Sequence, residues 1–331
     1  MYSQIRIWIV ALAVCLGCGW LVPTAGAADT TFSGQATVVR ADVLGQSVVL
    51  ADTGPLAPSG GAQEASLLSA NVPGLLTANV LHASTVGQGN KSRAEASVAD
   101  LDLTANGNRV SADFLMSRAE ARCGPGGPSV SGSSEIVRLE INGQSVAVTG
   151  EPNQTVNLPG GGSLVINEQT RTSDSITVNA LHVTVPGVAD VVIASSHADI
   201  HCGSANCSSA KDFVTGGGWI TAPSGSRGTF GVAGGLKNGA GWGHLTYIDH
   251  GTGLKVKGTG VTAYTVTGPT SRQIRGTAEI DGQPGTYTVD VADNGEPGRG
   301  SDTFSLQLSN GYTAEGTLVG GNIQLHTACK Q

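Results

Sequence analysis

Charged side chains are scarce in this sequence: Lys, Arg, Asp and Glu make up 13% of its 331 residues, against roughly a quarter in ordinary globular chains. That scarcity excludes a highly charged disordered polymer and a long solvent-facing helix laced with ion pairs. Basic residues number 18 against 25 acidic ones, a formal charge of −7. With no basic domain and no run of Lys or Arg, nucleic-acid binding has no electrostatic footing. Proline is only 13, and the 49 glycines follow no three-residue period, which excludes a collagen triple helix. Aromatics reach only 4%, and no apolar run after residue 27 is long enough to span a bilayer.

What is present begins with a leader. Arg6 stands before an apolar stretch from Ile7 to Val22, and Ala25-Gly26-Ala27 forms a small-residue cleavage site. This is the three-part pattern of a secretory signal over residues 1–27. Leu16-Gly17-Cys18 resembles the end of a lipobox, but Cys15 stands where that pattern wants an aliphatic residue, so removal of the whole leader is the preferred reading. The expected location is extracellular or cell-surface, with the periplasm as the other exported compartment. Of six cysteines, two fall in the leader, which leaves 6 − 2 = 4: Cys123, Cys202, Cys207 and Cys329. An even number in an exported chain suggests disulfides. Cys202 and Cys207 bracket only Gly-Ser-Ala-Asn, so the expected pairs are Cys123 with Cys202 and Cys207 with Cys329.

The same stretch marks a change of material. Between residues 28 and 207 the only aromatics are Phe32 and Phe114, whereas the remainder holds Phe213, Trp219, Phe230, Trp242, Tyr247, Tyr264, Tyr287, Phe304 and Tyr312. The reading is an all-β chain of two domains, 28–203 and 212–331, joined by a linker over 204–211. Alternating and β-branched runs separated by Gly, Pro and Asn clusters predict strands throughout, and helical spacing is not sustained beyond the leader. The first domain reads as an aliphatic β-sandwich, with a β-solenoid as the alternative. Leu76 to Ser84, Val110 to Ser117 and Ile176 to Thr184 are weakly self-similar, and His82 and His182 hold equivalent places in them. The second domain reads as an antiparallel meander forming a small barrel or sandwich, its turns including Asp281-Gly282, Asn294-Gly295 and Asn310-Gly311.

Chemistry-bearing constellations are few. His197 and His201 beside Cys202 lie too far apart along one strand for a single metal to take all three. Asp249-His250 offers a base and a carboxylate, but no G-x-S-x-G elbow accompanies it, and a turn between strands explains it more simply. Asp290, Asp293, Glu296 and Asp302 sit in one acidic loop with oxygen ligands of the kind calcium accepts, although the twelve-residue calcium-loop pattern is missing. Thr215-Gly216-Gly217-Gly218-Trp219 lacks the Lys-Ser/Thr of a phosphate loop, so its glycines read as sites of close backbone approach. Trp219, Trp242 and Tyr247 are the candidate ligand platform. No catalytic residue and no cofactor are expected.

Val72 to Ser84, Ser92 to Leu101, Val110 to Cys123 and Ile176 to Cys202 resemble the choice-of-anchor P family of exported bacterial proteins. Phe213 to Ile220, Gly228 to Val232, Trp242 to Gly251 and Ala292 to Gly298 look like the domain that follows the choice-of-anchor region in some of its members. The resemblance implies a surface or extracellular location and carries over no catalytic residue. The sequence departs from the anchored pattern, because only Lys330 and Gln331 follow Cys329. The expected function is a non-enzymatic structural or adhesive β module meeting cell-surface or matrix partners. The alternative is a secreted carbohydrate-binding or carbohydrate-processing protein using the aromatics of the second domain.

Overall fold

The computed structural model describes residues 29–204 and 211–327. Among them are twenty-two β-strands and no helix. The first unit holds β1 (Thr31–Val43), β2 (Gln46–Asp52), β3 (Gly61–Val72), β4 (Leu76–Gln88), β5 (Lys91–Ala105), β6 (Asn108–Gly124), β7 (Gly127–Val137), β8 (Glu140–Ile141), β9 (Gln144–Ser145), β10 (Gln154–Asn157), β11 (Ser163–Arg171), β12 (Ser175–Val185) and β13 (Ala189–His201). The second holds β14 (Phe213–Thr221), β15 (Arg227–Lys237), β16 (Ala240–Asp249), β17 (Lys255–Val266), β18 (Ser271–Ile280), β19 (Gln283–Ala292), β20 (Thr303–Leu308), β21 (Thr313–Thr317) and β22 (Gly320–His326).

The period-2 pattern of β1 explains the first unit. Phe32, Gly34, Ala36 and Val38 turn inward and the residues between them outward, as a half-buried strand requires. Two antiparallel sheets result, ordered β10-β11-β12-β13-β1-β2 and β3-β4-β5-β6-β8-β9, with β7 also pairing β6. They face each other across one core that includes Ala36, Val38, Leu81, Val98, Leu181 and Ile193. This is a sandwich, and its main core is aliphatic throughout. Cys123 at the end of β6 is bonded to Cys202 just beyond β13, with Cα atoms 5.6 Å apart, so the bridge ties one sheet to the other. Closing 79 residues removes up to about 4.5 kcal/mol of unfolded-chain entropy in the loop model. Cys207 and Cys329 lie outside the described residues.

One row of the sandwich breaks the alternation. Val38 and Val39 are both buried in β1, as are Val80 and Leu81 in β4 and Ala180 and Leu181 in β12. At this row Ala51, Val80, Asp100, Asn167 and Ala194 have positive φ, between 46° and 52° except for Val80 at 44°. Such angles cost a non-glycine residue about 1–2 kcal/mol, and here the ladders on either side hold them. The consequence is a side-chain pattern: Asn79 and His82 reach the outer face of one sheet, and Asn179 and His182 that of the other, with two inward residues between each pair. Leu76 to Ser84 and Ile176 to Thr184 share this doublet of inward residues between Asn and His.

In the second unit nine strands run β21-β20-β19-β18-β17-β16-β15-β14-β22. They form a meander that curls into a half-barrel, with β22 returning beside β14. Asn238-Gly239 and Asp281-Gly282 have the paired positive φ of two-residue hairpins and join β15 to β16 and β18 to β19. Asn294-Gly295 does not form such a turn. It lies in the longer connection from β19 to β20, where both backbone N–H groups donate to Oδ1 of Asp302. The core is aromatic: Phe230 stacks on Phe304 with centroids 4.0 Å apart, and Tyr247 and Tyr287 pack into the same cluster.

Candidate functional site

Strands β14, β15 and β16 lay one face against the outer face of the β3–β6 sheet, and the register decides which residues meet there. Gly217 pairs with Gly231 and Gly231 with Thr246; two residues along, Thr215 pairs with Ala233 and Ala233 with His244. A Cβ on Gly217 would stand 2.4 Å from Ser97 Oγ, and one on Gly231 would stand 2.9 Å from the Cβ of His82. The glycines of the Thr215-Gly-Gly-Gly-Trp219 segment therefore act as sites of close approach. At one end of this face Trp219 packs on Phe114 and Met116 of the first unit.

Polar groups seal the seam. Nδ1 of His82 lies 3.2 Å from Nε2 of His244, so one ring donates to the other. Oε2 of Glu64 is 2.6 Å from Nδ1 of His244, out of line for a ring N–H bond. Burial first, and the second imidazole next, push His82 well below the ordinary histidine value, which keeps it neutral. A second array joins Thr229 Oγ1 to His250 Nε2 at 2.7 Å and His250 Nδ1 to Asp100 Oδ2 at 2.7 Å. Asp100 also accepts from Arg227 at 2.5 Å and from Asn79 at 3.2 Å. Burial alone would raise the Asp100 carboxyl, but the bonds and charges of His250 and Arg227 outweigh it and hold it below the usual carboxylate range. Further along, Asn322 donates to buried Glu95 at 3.0 Å and Arg93 donates to Glu296 at 2.8 Å.

Hydroxyl, imidazole and carboxylate in the second array follow the order of a hydrolytic relay. Its hydroxyl cannot meet a substrate, because Thr229 is 0% exposed. The chemistry left to this array is docking: it holds the His250 ring in place and pairs Asp100 across the seam.

At the opposite end of the same face the two units part around a cleft of about 500 Å³. Phe32 and Leu56 from the first unit and Phe213 and Trp242 from the second line it. Phe213 and Trp242 both pair with Gly235, and their rings meet edge to face with centroids 5.8 Å apart. His326 stacks on Phe213 at 4.5 Å. Lys211 and Lys237 line the cleft beside them.

The residues singled out from the sequence are dispersed. Trp219, Trp242 and Tyr247 form no common platform: Trp219 lies in the seam, Trp242 in the cleft, and Tyr247, 0% exposed, in the half-barrel core. Burial raises the Tyr247 phenol to about 12, and its hydroxyl lies 2.8 Å from that of Tyr312. The four acidic-loop carboxylates go to separate partners. Asp290 accepts from Gln273, Asp293 from the Leu325 N–H, Glu296 from Arg93, and Asp302 from the N–H groups of Asn294, Gly295 and Ile323. Asp293 is raised to about 6, by burial first and then by Asp302 and Glu296. Asp249 and His250 do not act together: Asp249 holds Ser224, Tyr312 and the Gly251 N–H, while His250 turns to Asp100. His197 pairs with Thr177, and His201, whose side chain is 70% exposed, sits between Asp174 and Asp199. Asp100 and Glu64 were missed because their partners lie 150 residues or more away in the chain; His82, which the sequence repeat marks as a structural position, meets its partner 162 residues away.

No known family profile matches this chain, and no curated protein does either. It is similar to a solved structure from Nitrosomonas europaea, a protein provisionally assigned as AttH, over 90% of this chain and 93% of that one, at 9% identity and a TM-score of 0.21. At those values the likeness carries no argument about fold or function.

Proposed function

We propose that this chain is an exported, non-enzymatic β module that works by contact, as a structural or adhesive element at the cell surface or in the extracellular matrix. The observation that carries the reading is the sealed Thr229 of the relay-like array: a hydroxyl, imidazole and carboxylate in the order of a hydrolytic relay span the two units with the hydroxyl closed to any substrate. The Cys123–Cys202 bond suits an oxidising compartment, and among the described residues no helix is long and apolar enough to cross a membrane. The resemblance of the strand segments to the choice-of-anchor P family agrees with such a role. Native cell fractionation, with substrate panels for hydrolases run on the purified protein, tests the reading. Recovery in the envelope or medium, with no turnover, is expected. Cytosolic protein, or turnover abolished by His250→Ala in a folded variant, overturns it.

A further inference from the structure

We propose that the cleft between the two units binds an amphipathic monoanion, with an apolar chain or ring against Phe213 and Trp242 and an acidic head between Lys211 and Lys237. Three observations converge on this. The first is shape: about 500 Å³ at a domain junction is the size and setting of small-ligand sites.

The second is the apolar wall. Phe213, Gly235 and Trp242 form one row across β14, β15 and β16. The missing side chain at Gly235, where a Cβ would stand 2.5 Å from that of Phe213, lets both rings close over the strand. Phe32 and Leu56 face them from the first unit, and Leu236 at the rim is 48% exposed.

The third is charge. Lys211 and Lys237 both line the cleft that holds Phe213 and Trp242. Two lysines on one cleft in a chain of net charge −7 make it a cationic spot on an acidic molecule. Among the described residues neither lysine has an ion-pair partner. Asp212, between Lys211 and Phe213, is held by Arg272 and Tyr264. Among the described residues Asp29 is the one acid in the lining. A bound carboxylate or sulfonate would meet both lysine cations, while a neutral sugar would not.

Isothermal titration of the purified protein with octanoate, 1-octanol, octyl glucoside and acetate at low ionic strength tests this. Octanoate is expected to bind at one site at least tenfold more tightly than 1-octanol or acetate. The Lys211→Gln/Lys237→Gln variant is expected to lose that tenfold advantage while its thermal midpoint stays close to the parent's, since both side chains are exposed. Trp242→Leu should weaken octanoate without restoring acetate. Equal binding of octanoate and 1-octanol, octyl glucoside bound as well as octanoate, or undiminished octanoate affinity in the double lysine variant overturns the proposal.

Discussion

Replacing Gly231 with alanine puts the seam between the two units under a defined load. The new Cβ would stand 2.9 Å from both the Cβ of His82 and Oγ1 of Thr246, whereas unstrained carbon contacts are about 3.5–4.0 Å. A backbone-anchored Cβ cannot rotate away, so β15 and β4 must separate by about 0.6–1 Å. Overpacking of this size costs about 1–3 kcal/mol, and the His82–His244 contact at 3.2 Å moves outside hydrogen-bond range with it. Gly126 provides the control, because a Cβ there meets nothing within 4 Å. Equilibrium unfolding in guanidinium, followed by tryptophan fluorescence in a Trp242→Phe background and by far-ultraviolet dichroism, reads both effects. Gly231→Ala should lower the unfolding free energy by about 1–3 kcal/mol and shift the fluorescence first, while Gly126→Ala stays within about 0.5 kcal/mol of the parent. Equal behaviour of the two variants would refute the close approach on which the seam depends.

Cys123→Ser/Cys202→Ser should lose up to about 4 kcal/mol, checked by urea unfolding with and without reductant; an unchanged midpoint would remove the bridge from the account. Asp293, raised to about 6, binds its proton more tightly when folded, so its contribution is full below pH 4 and is lost as pH rises to about 6. Asp293→Asn should therefore gain about 1 kcal/mol at pH 7, after discounting for partial exposure, and nothing at pH 4. A gain of the same size at both pH values in urea titrations would contradict that origin. His82, lowered from 6.5 by burial, contributes stability above that value that fades as pH falls below it, and His82→Gln should flatten this acid limb. Ala194→Gly relieves a residue at φ 52°, so it should cost at least about 1 kcal/mol less than Ala96→Gly; equal thermal shifts would mean that the kink row stores no strain.

What could be read from the sequence was local. The Asp281-Gly282 turn needs only two residues of left-handed propensity, and the contrast between an aliphatic and an aromatic core follows from where Phe32 and Phe114 stand alone. The Cys123–Cys202 pair followed from loop arithmetic. The kink row is hidden because valine and alanine seldom take positive φ; its trace in the sequence is the spacing of Asn79 and His82, repeated at Asn179 and His182. The seam was illegible for another reason. Asp100 and His250 belong to different units, and no periodicity connects them. Trp219 and Tyr247 lie on strands whose two faces are both covered, so aromatic type alone could not separate a ligand platform from packing.

A double-mutant cycle on Asp100→Asn and His250→Gln, measured by denaturant unfolding, tests most directly whether the seam array holds structure rather than performs chemistry. For a pair 2.7 Å apart and partly shielded from water, the expected coupling is about 1–3 kcal/mol. A coupling near zero would contradict it.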